Sequence, residues 1–99
     1  MTARIRRSSG NVFKDLGFPP EEAAHLLIRA DLMIQLTQIL KERKLTQVRA
    51  ARLLGVSQPR VSDLVRGRID LFSIDSLVGM LARLGVSVSL QTHPSKRVA

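Results

Sequence analysis

The chain contains no cysteine, tryptophan or tyrosine, and among its 99 residues only three phenylalanines and two histidines. Without cysteine there is no disulfide framework and no thiolate metal site, which is compatible with a reducing compartment. The two histidines, His25 and His93, lie far apart in the chain and have no carboxylate neighbours at ligand spacing, so no metal is expected. No phosphate-binding loop, nucleophile elbow or paired-carboxylate cluster is present. Catalysis and a cofactor are therefore not expected. Apolar runs are only a few residues long, too short to span a membrane. Arg4, Arg6 and Arg7 near the start are followed by no apolar stretch, so they do not open a secretory signal, and a cytoplasmic location is expected.

Acidic residues are scarce as well: eight against sixteen basic ones, a formal charge of +8. Between Lys41 and Arg68 the imbalance is sharpest. There Lys41, Arg43, Lys44, Arg49, Arg52, Arg60, Arg66 and Arg68 are set against only Glu42 and Asp63. A run of charge is by itself often just a solvated face, but this one coincides with a motif, and together they suit a polyanionic partner.

The motif is Thr46–Arg68, TQVRAARLLGVSQPRVSDLVRGR. Val48, Ala51 and Leu54 give a short amphipathic helix its apolar stripe, and Gly55 follows where a helix end favours a left-handed residue. Ser57 can N-cap a second helix with Pro59 in its first turn, where a missing N–H is harmless. That helix places Val61, Leu64 and Val65 on one side and leaves Gln58, Arg60, Ser62 and Asp63 largely free, and Gly67 ends it. The small Ala51 allows two short helices to cross closely. This spacing resembles the DNA-binding helix-turn-helix. More narrowly, the Thr-Gln opening the first helix and the Ser-Gln opening the second resemble the XRE, phage-repressor-like family.

Ninety-nine residues make one domain with a modest core. Residues 1–10 read as a flexible basic arm, either a plain tail or a segment lying in a DNA groove or on an acidic partner. Residues 11–90 form the helix-turn-helix domain, and 91–99 read as a disordered tail. In NVFKDLGF, Asn11 can cap a single turn whose face is Val12, Phe13 and Leu16, closed by Gly17. That turn either packs on its own domain or docks on another protein.

Pro19, Pro20, Glu21 and Glu22 begin the longest helix, which runs to about Arg43, with acidic residues where the helix dipole favours them and basic ones at its far end. Its apolar residues Leu26, Leu27, Ala30, Met33, Ile34, Leu36 and Leu40 form more than one stripe. At about 24 residues it is roughly 36 Å long, more than the helix-turn-helix can cover, so its first half needs another surface. His25 lies near the apolar face and reads as structural. Ser73 can cap a further helix from Ile74 to Leu84, and Gly79 inside it implies close packing as compensation. Val86, Val88 and Leu90 alternate with serines as a half-buried strand, for which antiparallel pairing across a twofold homodimer is the economical solution.

GNVFKDLGF, the long helix, the helix-turn-helix, FSIDSL and LGVSVSL together resemble one subgroup of the XRE family, the compact HigA-like antitoxins of type II toxin–antitoxin pairs. The resemblance spans roughly residues 6 to 90. It implies an all-α, compact helical bundle with a lambda-repressor-like helix-turn-helix plus the short C-terminal strand. It also implies a repressor that neutralises a RelE/HigB-like ribonuclease toxin and controls its own operon; a free-standing XRE-type or phage regulator is the other possibility. Carried over residue by residue, Gln58, Pro59, Arg60 and Asp63 are the base readers of a palindromic operator. Gln58 suits an adenine edge, Arg60 guanine O6 and N7, and Pro59 a thymine methyl. Asp63 either accepts from cytosine N4 or, the preferred reading, pairs with Arg60 or Arg66. Gln47, Ser57, Ser62, Arg66 and Arg68 are the expected phosphate contacts, with Gln47 bracing Gln58. Val12, Phe13, Leu16 and Phe18 are the expected toxin-binding residues.

Overall fold

The computed structural model describes residues 2–5 and 12–94. Along the chain run β1 (Thr2–Ile5), α1 (Val12–Asp15), α2 (Pro20–Glu42), α3 (Gln47–Leu54) and α4 (Gln58–Val65). A 3-10 turn (Ile69–Leu71), α5 (Ile74–Arg83) and β2 (Ser87–Leu90) complete it. The architecture is mostly helical, as the sequence pattern requires.

The spine is α2. Pro20 fixes its first turn, where Glu21 and Glu22 meet the positive end of the helix dipole, and Lys41 lies in its last turn. Lys44, at φ +53°, turns the chain out of the helix, and the N–H of Leu45 returns to the carbonyl of Leu40 at 3.1 Å. The helix buries Ala23, Leu26, Leu32, Met33, Leu36, Ile39 and Leu40. Leu32 and Ile39 lie outside the expected stripe, and Ile34 inside it is 60% exposed. The cause is that α2 is covered from several directions, by α1, α4, α5, β1 and the 3-10 turn, so no single stripe describes it.

Around the second half of α2, the residues Ala50, Leu54, Val61, Leu64, Phe72, Leu77, Leu81 and Val86 close a single core. Burial of such side chains stabilises a domain by roughly 1.5–3 kcal/mol each. Helix α5 is capped as expected: Ser73 Oγ accepts from the Ser76 N–H at 3.1 Å. Its Gly79 departs from expectation. The residue is exposed, and a Cβ placed there meets nothing within 4 Å, so close packing does not explain the glycine.

The C-terminal strand also differs from expectation. Its partner comes from the same chain: β1 and β2 pair in parallel, from Thr2 opposite Ser87 to Ile5 opposite Leu90. A strand end that needs backbone partners takes the nearest ones available, and here the segment read as a flexible arm supplies them. Of the three residues assigned to a dimer strand, Val86 precedes β2 and is buried in the core, Val88 is half-buried and Leu90 is exposed. Asn11, the expected cap of α1, and the expected tail beyond residue 94 fall outside the described residues. Among the described residues no helix is long and apolar enough to cross a membrane.

Candidate nucleic-acid interface

Helix α3 begins where Thr46 Oγ1 accepts from the Arg49 N–H at 3.2 Å, which makes Gln47 its first, solvent-facing residue. It turns Ala50, Ala51 and Leu54 inward, while Val48 is 52% exposed. The buried register is therefore shifted from the expected stripe, on a helix against which α4 and α5 both pack. Gly55, at φ +70°, ends the helix in the left-handed conformation that favours glycine. The neighbouring carbonyl of Leu53 accepts from Arg83 Nε at 3.0 Å, so the guanidinium caps the end of α3.

Helix α4 repeats the pattern. Ser57 Oγ accepts from the Arg60 N–H at 3.3 Å, leaving its own O–H free to donate outward. Gln58 and Pro59 occupy the first turn and both are exposed. Val61 and Leu64 anchor the helix, while Val65, expected beside them, is 54% exposed. Gly67 takes φ +73° in the turn that follows. Gln47 and Gln58 thus stand at the first residues of two helices joined by a three-residue turn. No hydrogen bond joins them among the described residues, so the expected brace is not formed here.

On these two helices and in the turns that flank them, Arg43, Lys44, Arg49, Arg52, Arg66 and Arg68 are all exposed, and Ser62 is half-buried. Ser57, Arg66 and Arg68 therefore offer donors to solvent, as a phosphate-binding surface needs.

Arg60 is arranged otherwise. Its guanidinium donates from Nη1 to the Leu71 carbonyl at 2.7 Å and lies over the Phe72 ring, 4.0 Å from the centroid. Asp63, half-buried, forms no ion pair with Arg60 or Arg66 among the described residues, so the expected pair is absent; Arg60 is occupied across the gap to the 3-10 turn. A second arginine, Arg29, donates to the Ile69 carbonyl at 3.2 Å and ties the same turn to α2. Sequence reasoning missed Phe72, Arg29 and Arg83 in these roles. Partners 12, 40 and 30 residues away leave no local signal.

The segment expected to bind a toxin lies on the first half of α2. Phe13 is half-buried, and its ring meets that of Phe18 edge-on at 6.2 Å. Val12 and Phe18 are exposed, and Leu16 is 71% exposed. No residue of α1 is fully buried. His25 is exposed rather than set in an apolar face. Among the described residues no group of three or more His, Asp or Glu side chains is gathered to hold a metal.

This arrangement is that of a helix-turn-helix domain, and residues 12–93 match the family of that description, to which the chain belongs. The fold is similar to a solved chain described as an XRE-family transcriptional regulator, with 29% identity and a TM-score of 0.70. The similarity covers 79% of this chain and 90% of that one. No curated protein matches the chain.

Proposed function

We propose that this protein is a sequence-specific DNA-binding transcriptional regulator that places α4 in the major groove of a palindromic operator. The observation that carries this reading is the pair of capped helix starts, Gln47 on α3 and Gln58 on α4, both exposed in a segment whose basic residues Arg43, Lys44, Arg49, Arg52, Arg66 and Arg68 are exposed as well. Helix N-termini and arginines bind phosphate without regard to sequence, while the first turn of α4 supplies the side chains that reach base edges. Gln58, Pro59 and Asp63 are the reading set, with Arg60 beside them in the same helix held towards Leu71 and Phe72, and Gln47, Ser57, Ser62, Arg66 and Arg68 grip the backbone. Because one reading helix gives little specificity, the working species is a homodimer binding half-sites about 34–36 Å apart. With one edge of β2 taken by β1, a dimer contact through this strand uses the opposite edge.

The finer reading is that of an antitoxin of the HigA-like kind, which neutralises a RelE/HigB-like ribonuclease toxin and represses its own operon. Val12, Leu16 and Phe18 support it: a monomeric domain of this size rarely leaves three apolar side chains of one segment exposed together unless a partner covers them. The similarity to an XRE-family regulator favours the second reading, a stand-alone repressor.

Co-purification with the product of the adjacent gene, followed by titration of each form onto the operon's own promoter, separates them. A stable complex that loses its toxin with Leu16→Glu but still binds the palindrome establishes the antitoxin. Promoter binding without a protein partner leaves the stand-alone repressor. Binding that is absent, or insensitive to salt, removes the DNA-binding reading altogether.

A further inference from the structure

Resting on that DNA-binding reading, we propose that Arg60 is a positioning residue: it sets the attitude of α4 through the Leu71 carbonyl and the Phe72 ring, and does not itself read a base. The position of Arg60 in α4 would normally nominate it as a reader, since a free arginine there reaches guanine O6 and N7 as a flat fork. Here the fork is turned the other way. Nη1 lies 2.7 Å from the Leu71 oxygen, a short, charge-assisted hydrogen bond. The guanidinium also lies 4.0 Å over the face of Phe72, a stacking contact that holds the plane of the group.

Both partners are themselves fixed. Phe72 is 2% exposed, in the core, and the Ile69–Leu71 turn is tied to α2 by Arg29. The chain of contacts therefore runs from the rigid α2, through Arg29 and the 3-10 turn, to Arg60 at the base-facing end of α4. The buried Val61 and Leu64 anchor α4 along its length, and Arg60 fixes its rotation about that anchor. Reaching a base would require Arg60 to give up a charged hydrogen bond and an aromatic contact together. Sequence choice then falls on Gln58 and Pro59, which are exposed, and on Asp63, which has no ionic partner among the described residues.

The test is a comparison of Arg60→Ala, Arg60→Lys, Phe72→Leu and the double variant Arg60→Ala/Phe72→Leu. Each is titrated onto the promoter and onto every single-base variant of its palindrome, at a temperature where circular dichroism shows it folded. For Arg60→Ala the expected result is a loss of about tenfold in affinity, the scale of one hydrogen bond to a charged group. The loss should be the same for all sequences, with an unchanged slope of log affinity against log salt. Phe72→Leu should give a loss of the same kind, the double variant should be less than the sum of the two, and Arg60→Lys should recover part of it. An Arg60→Ala protein whose preference relaxes at one base position only would make Arg60 a reader and overturn the proposal. A slope shallower by one would make it a phosphate contact and overturn it equally. An effect on thermal stability without any on the affinity of the folded protein would reduce it to a structural residue. Failure of the wild-type protein to bind DNA in a salt-dependent way would instead remove the DNA-binding reading itself.

Discussion

Arg83 and Leu53 lie thirty residues apart, and the Nε of the first donates to the carbonyl of the second at 3.0 Å. The same guanidinium lies beneath the turn glycine: a Cβ on Gly55 would stand 2.9 Å from Arg83 Cζ. At φ +70° that Cβ is unwelcome in any case. Gly55→Ala should therefore cost roughly 1–2 kcal/mol, the ordinary penalty of a left-handed residue, plus whatever displaces the arginine. Arg83→Ala should cost about 1 kcal/mol or less, because the group is exposed. Urea denaturation of both single variants and the double variant checks the coupling. With Arg83 gone, Gly55→Ala should become cheaper but not free.

Gly79→Ala should act in the opposite direction. The glycine lies inside α5, exposed, and an added methyl group would have no neighbouring atom within 4 Å. Alanine gains helix propensity and loses nothing, a stabilisation of about 0.5–1 kcal/mol. For a domain of this size the melting temperature should rise by a few degrees. A fall would mean that the face is covered by something in solution.

Asp31 gives stability a pH dependence of known sign. Its Oδ2 is shielded from solvent and has no hydrogen-bond partner among the described residues, beside a cavity of about 220 Å³ reached also by Leu90 and His93. Desolvation raises its pKa from the ordinary 3.8. The folded protein therefore holds this proton more tightly than the unfolded chain does. The penalty is present in full above the raised folded value, and it disappears as pH falls through that value towards 3.8. Asp31→Asn should melt higher than wild type at pH 7, and the two should converge on acidification. An unchanged difference across that range would show that the carboxylate finds a partner in solution.

The reading and gripping roles separate in one experiment. Gln58→Ala should lose about 1–3 kcal/mol of discrimination at one base pair, with little change in salt dependence. Arg68→Ala should weaken all sequences alike and reduce the salt slope by about one. Titrations at two salt concentrations on a panel of single-base variants distinguish them.

What could be read from the residues alone was whatever is encoded locally. Ser57, Ser73 and Gly55 each announce a helix boundary, because a cap or a left-handed turn depends on a few adjacent residues. The whole helix-turn-helix was legible for that reason. Burial registers were less so: Val48, Val65 and Ile34 face solvent because the elements covering their helices come from distant parts of the chain. The partner of β2 was missed on the same ground, since nothing in LGVSVSL specifies that TARI will lie beside it. For Arg60 the local pattern pointed outward, and Leu71 and Phe72, beyond the end of α4, turned it back.

The parallel pairing of β1 with β2 orders events on the ribosome. Thr2–Ile5 emerges before any other described element, yet its hydrogen-bonding partner Ser87–Leu90 emerges after all the helices. Throughout synthesis the first strand must wait with its backbone unpaired, while α2 to α5 assemble on shorter loops. The strand pair is thus the last piece to close in translation, and a nascent chain arrested before residue 87 would hold its helices without that final tie.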